Sequence, residues 1–137
     1  MDKLDCILLV DDDETTNYVN QMLLEDIAVT KEVRVARNGK EALEIIQRQG
    51  EEGVYPDLIL LDINMPVMNG FEFLEAYERL DFRHKQSVVI VMLTTSLDPG
   101  DLNRLREVPL KGFLNKPLTG EMVQGLLRQH FGRDVPG

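Results

Sequence analysis

The chain has 137 residues, 43% of them hydrophobic and 28% charged, with a formal net charge of -9. That length and balance suit one soluble domain with a real core, and the acidity argues against non-specific binding to nucleic acid or to an anionic membrane, both of which reward Lys and Arg. The single cysteine, Cys6, excludes an internal disulfide and suits a reducing compartment, where it acts as a small buried hydrophobe.

Cys6 to Val10 is a short apolar run between charged residues, the pattern of a strand buried on both faces. It is too short for a signal-peptide core or a membrane span, and neither end shows a lipidation signal, so the expected location is cytoplasmic. Tyr18, Val19, Met22, Leu23 and Ile27 recur at helical spacing and predict an amphipathic helix over Thr15 to Asp26. Glu32 to Ala36 alternates as a strand, Asn38-Gly39 punctuates it, and Ala42, Leu43 and Ile46 open a second helix. Gln49 to Gly53 reads as a polar loop. Leu58 to Leu61 is a second buried strand, and a loop with Pro66 and Gly70 leads to a helix marked by Phe71, Leu74 and Tyr77.

Val88 to Leu93 is the most β-branched run. Asp98 can cap a following helix with Pro99 in its first turn and Leu102 and Leu105 on its apolar side. Gly112 to Asn115 is a short last strand, and Thr119 can cap a last helix carrying Met122, Val123, Leu126 and Leu127. The other methionines, Met65, Met68 and Met92, read as packing, and His84 and His130 as solvent-exposed bystanders. The alternation of strand and helix predicts an α/β fold: a doubly wound parallel sheet of five strands with helices on both faces. One domain over residues 1–137 is expected, with its core at about 4–131 and a short tail.

Ligands of such sheets bind beyond the carboxyl ends of the strands. Asp11, Asp12 and Asp13 follow the first strand, Asp62 the third, Thr94, Thr95 and Ser96 the fourth, and Lys116 the fifth. If the strand order is 2-1-3-4-5, the acids of strands one and three are neighbours. Their repulsion calls for a hard divalent cation such as Mg²⁺, and the lack of a His or Cys cluster argues against zinc. Asp62 can be a carboxylate nucleophile toward a phosphoryl group, Asp11 and Asp12 can hold the metal, and Lys116 and Thr94 can contact phosphoryl oxygens. Each motif alone has an ordinary explanation: an aspartate run can start a helix, and a lysine before Pro117 can mark a turn. Their arrival at successive strand ends carries the weight.

Leu9-Val10-Asp11-Asp12, Leu60-Leu61-Asp62-Ile63-Asn64-Met65-Pro66, Met68-Asn69-Gly70, Met92-Leu93-Thr94-Thr95 and Gly112-Phe113-Leu114-Asn115-Lys116-Pro117 stand in one order along the chain. With them the sequence resembles the receiver domain of two-component response regulators, in particular the single-domain, chemotaxis-type members, from about Leu4 to Phe131. The resemblance implies the flavodoxin-like order 2-1-3-4-5 with five helices. It implies Asp62 as phosphoacceptor, Asp12 as a direct Mg²⁺ ligand, Asp11 acting mainly through water, and the backbone carbonyl of Asn64 completing the ligands. It makes Thr94 and Phe113 the switch pair, and Asn64, Thr95 and Ser96 the residues that tune access and hydrolysis. It also implies a cis Lys116-Pro117 bond.

The implied function is a phosphorylation-dependent switch that catalyses only its own phosphorylation and dephosphorylation. A histidine kinase or phosphotransfer protein would be the donor and a downstream protein the target. The target would read the face formed by the fourth helix, fifth strand and fifth helix. No nucleic-acid or membrane partner is expected, and the state would be a monomer or a phosphorylation-dependent homodimer. Two alternatives stand beside it. A small Mg²⁺-dependent aspartyl-phosphate phosphatase often carries a second acid two residues after its nucleophile, where this chain has Asn64. A receiver-like binding domain without phosphorylation would need another phosphate cradle, and the Gly-rich fingerprint is absent after the first strand.

Overall fold

The computed structural model of the chain describes residues 3–53, 55–80, 88–94 and 112–132, with the backbone alone at Thr94. Its strands are β1 (Ile7–Val10), β2 (Val33–Ala36), β3 (Leu58–Leu61), β4 (Val89–Thr94) and β5 (Gly112–Asn115). Its helices are α1 (Glu14–Asp26), α2 (Gly39–Glu51), α3 (Gly70–Glu78) and α4 (Gly120–Phe131). The last of these is the fifth helix expected from the sequence. The expected helix capped by Asp98, with Pro99, Leu102 and Leu105, lies outside the described residues, as do Thr95, Ser96 and His84.

All pairings are parallel and the sheet order is β2-β1-β3-β4-β5, as expected. Strands β1 and β3 are buried at every position, because helices cover both faces. Alternate residues divide between two cores. Leu8, Val10, Ile59, Leu61, Ile90 and Met92 face Ile45, Ile46, Phe71 and Leu74 of α2 and α3. Ile7, Leu9, Leu58, Leu60, Val91 and Leu93 face Leu24 of α1 and Val123, Leu126 and Leu127 of α4. The edge strands β2 and β5 are less buried, with β5 alternating between half-buried and exposed.

The helix starts follow their caps. Asp13 caps α1, Asn38 caps α2 and Thr119 caps α4 with side-chain oxygens, while Asn69 and Glu72 form a reciprocal capping box at α3. Three readings of the sequence are corrected. The segment Gln49–Gly53 is not all loop: α2 runs through Glu51, since Gln49 extends the buried stripe of Ala42, Ile45 and Ile46 by one more turn. Helix α1 is also rolled relative to its apolar spacing. It buries Asn17, Asn20 and Leu24, and it leaves Tyr18, Val19 and Met22 exposed. His130 is half-buried rather than in solvent.

Candidate phosphoacceptor and metal site

Strands β1 and β3 pair in register, Val10 against Leu61, so the residues that follow them, Asp11 and Asp62, emerge side by side. Backbone bonds hold this point on both sides: the Asp62 amide donates to Val10 O (2.9 Å) and the Asp11 amide to Ala36 O (3.0 Å). Carboxylate oxygens of Asp11, Asp12 and Asp62 come within 4.8 Å of one another. Asp13, the third of the run, takes no part. Its side chain accepts from the Thr15 amide and from Thr16 Oγ1 (2.6 Å) as the cap of α1, and the Thr16 bond first of all holds its carboxyl below the ordinary value.

From β5, Lys116 reaches across the sheet edge. Its Nζ donates to Asp11 Oδ2 at 2.6 Å and lies 3.5 Å from Asp62 Oδ1. The other oxygen of Asp11 accepts from the Asp13 amide (3.0 Å). Side-chain exposure is 7% for Asp11, 12% for Asp62 and 17% for Lys116, so these charges meet in a shielded place, while Asp12 stands in solvent. Burial first, and then the charge of Asp11, push the Asp62 carboxyl above the ordinary carboxylate value, and Lys116 only partly offsets them. For Lys116, burial opposes the ammonium, but the bond to Asp11 and the charges of Asp62 and Asp11 outweigh it, and its pKa is raised. The Lys116–Pro117 bond is cis, as expected.

Three carboxylates around one ammonium leave a surplus of negative charge. An all-oxygen donor set, partly open to water, suits Mg²⁺, which takes few carboxylates and keeps several waters. Among the described residues no backbone hydrogen bond ends on the carbonyl of Asn64, the fourth expected ligand, and the residue is exposed.

The loop after Asp62 is tightly placed. The Gly70 amide donates to Ile63 O (2.8 Å), and the Gly39 amide at the start of α2 donates to Met68 O (2.9 Å). A Cβ on Gly70 would stand 2.5 Å from the Asp62 carbonyl oxygen, so only glycine permits this approach. Between them, Met68 N donates to Pro66 O (2.7 Å) across Val67, whose φ is 67°. That γ-turn is a strained conformation for a β-branched residue.

Among the expected switch and tuning residues, Thr94 ends β4 opposite Asn115, and Phe113 is 51% exposed on β5. The Thr94 side chain, Thr95 and Ser96 are not among the described parts. Sequence reasoning passed over Asn17. This buried residue of α1 donates from Nδ2 to Asp11 O (2.8 Å). Its one signal was a polar residue at helical spacing to Asn20 and Leu24. Among the described residues no helix is long and apolar enough to cross a membrane.

The sequence profile of the response regulator receiver domain matches residues 7–128. Response regulator Rcp1 of Synechocystis is 32% identical, over 88% of this chain and 84% of its own length. Hybrid signal transduction histidine kinase B of Dictyostelium discoideum is also 32% identical, over 94% of this chain but only 7% of that much longer protein. In three dimensions the chain is similar to a two-component response regulator from Cytophaga hutchinsonii, with a TM-score of 0.86, 26% identity, and 96% and 100% of the two chains covered. With its acids and its lysine gathered at the carboxyl edge of this sheet, the chain belongs to the response regulator receiver domain family, and it is a phosphorylation-dependent receiver of two-component signalling.

Proposed function

We propose that Asp62 is the phosphoacceptor of this receiver, that Asp11, Asp12, Asp62 and the Asn64 backbone carbonyl hold Mg²⁺, and that Lys116 binds the incoming phosphoryl group. The observation that carries this reading is the position of Lys116 Nζ, in contact with Asp11 and next to Asp62. A carboxylate oxygen of Asp62 attacks the donor phosphorus. A new O–P bond forms as the donor's bond to phosphorus breaks, and the leaving group departs with the electron pair and takes a proton. Bound Mg²⁺ supplies positive charge for the phosphoryl oxygens. Lys116 Nζ lies 3.5 Å from Asp62, so a short shift from Asp11 would bring its ammonium to a phosphoryl oxygen there.

A phosphoryl group adds nearly two negative charges at this point. Lys116 is then drawn from Asp11 toward the phosphoryl oxygens. Thr94 follows, and Phe113, now largely in solvent, turns inward into the space behind it. The face of β5 and α4 passes the change to a protein target. Thr95 and Ser96, with Asn64, tune access and hydrolysis. The donor is a histidine kinase or a phosphotransfer protein, and residues 1–137 act as one cytoplasmic unit that turns over only its own phosphoryl group. With Asn64 in place of a second acid, turnover of an external phosphate ester lacks its general acid/base.

The test is intact mass after incubation with Mg²⁺ and a small-molecule phosphodonor, beside Asp62→Asn. The expected result is a Mg²⁺-dependent gain of one phosphoryl group in the parent chain alone. A repeat with beryllofluoride, read by NMR at Phe113, covers rapid hydrolysis. No adduct and no beryllofluoride response would overturn the mechanism.

A further inference from the structure

Asn17 is 5% exposed, and its Oδ1 has no hydrogen-bond partner among the described residues. A buried amide costs more than an apolar side chain unless its hydrogen bonds offset its desolvation. The same helix keeps Tyr18, Val19 and Met22 in solvent, so apolar side chains are available on α1 while amides take the buried face. Packing therefore does not account for Asn17. Its one side-chain bond among the described residues does something else: Nδ2 donates to the carbonyl oxygen of Asp11, six positions earlier, at 2.8 Å.

That carbonyl belongs to the peptide plane between Asp11 and Asp12. The side chain of Asp11 is independently held, by the Asp13 amide and by Lys116. Asp12 is exposed, and its side chain has no hydrogen bond or ion pair among the described residues, yet its carboxylate lies within 4.8 Å of those of Asp11 and Asp62. What places Asp12 is the orientation of the peptide that carries it. Asn17 fixes that orientation from the buried side, and with Asp11 and Asp62 it lines a cavity of about 10 Å³ beneath the cluster.

We propose that Asn17 is a positioning residue of the metal site: by holding the Asp11–Asp12 peptide plane it aims Asp12 and so sets divalent-cation affinity. This rests on the reading of Asp11, Asp12 and Asp62 as Mg²⁺ ligands. Partners of metal ligands are commonly worth a factor of about 10 to 100 in affinity.

The experiment is calorimetric titration of the full chain with Mg²⁺, for the parent, Asn17→Leu and Asn17→Ala, with melting temperatures in chelator. Both variants are expected to bind Mg²⁺ about tenfold more weakly or worse. The leucine variant leaves the Asp11 carbonyl without its donor, so its metal-free melting temperature should fall modestly, and the melts check that both variants remain folded. The phosphorylation rate at saturating Mg²⁺ should stay near that of the parent, with only the Mg²⁺ concentration for half-maximal rate moving. Affinities within about twofold of the parent would overturn the inference and leave the metal site standing. If the parent itself binds no Mg²⁺, the metal site fails and the inference with it. Should either variant not fold, NMR of the parent decides: the Asn17 side-chain amide signals shift on Mg²⁺ saturation if the inference holds, and stay fixed if it does not.

Discussion

Lys116 Nζ lies 2.6 Å from Asp11 Oδ2 but 3.5 Å from Asp62 Oδ1, so the ammonium is paired mainly with Asp11 and not with Asp62, the proposed phosphoacceptor. The ion pair spans 105 positions of sequence and ties the end of β5 to the end of β1. It leaves Asp62 only partly neutralised.

Replacing Lys116 by Met should remove this tie while keeping its bulk. Two shielded carboxylates would lose their only described cation, and removing one partner of a buried pair costs about 3 kcal/mol. Urea unfolding of the metal-free protein at pH 7 should show a loss of that order. Because the lysine pKa is raised on folding, its contribution is complete at neutral pH and is lost as pH rises past its ordinary value of 10.5. The parent and the variant should therefore converge in strongly alkaline solution.

Asp62→Asn should act in the opposite direction. The Asp62 carboxyl is raised from 3.8 by burial and by Asp11, so between that value and its folded pKa the native state binds more protons than the unfolded state. Stability then falls as pH rises through this window and stays lowered at neutral pH. Thermal melts in chelator at pH 7 should show Asp62→Asn above the parent, with the gain shrinking as pH falls toward 4. Added Mg²⁺ should narrow or reverse the order, since the parent has the complete proposed ligand set.

At Gly70 there is no room for a methyl group. A Cβ would lie 2.5 Å from Asp62 O and 3.1 Å from Ile63 Cα, and both are backbone atoms that cannot swing aside. Gly70→Ala should destabilise the domain by about 2–3 kcal/mol, measured by urea unfolding. Any folded population should also be phosphorylated more slowly, because the displacement is transmitted directly to Asp62.

Val67 offers the reverse case. Its φ of 67° suits glycine, and the side chain is 74% exposed, so little burial is lost on removing it. Relief of about 1–3 kcal/mol of strain, less the extra entropy of an unfolded glycine, predicts that Val67→Gly stabilises by about 1 kcal/mol. The melting temperature should rise by about 3–4 °C. An unchanged or lower value would show that the turn is not under strain.

The strands, their parallel arrangement and the residues at their ends were legible in the sequence, because a strand buried on both faces writes itself as an unbroken apolar run, while the order 2-1-3-4-5 came from the resemblance to receiver domains. Val10 and Leu61 are followed by acids wherever the strands go. Only the tertiary structure decided which groups meet. Asp13 is indistinguishable from Asp11 and Asp12 in a run of three, but the start of α1 takes it as a cap. Gln49 looked like the beginning of a loop, yet α2 continues because a neighbouring surface buries that side of the next turn. The roll of α1 was the largest departure. Periodicity measures where apolar side chains lie on a helix and not which side its neighbours will cover. Here the covered side is chosen by the Asp11 carbonyl, whose need for a donor brings Asn17 inward and leaves Tyr18, Val19 and Met22 in water.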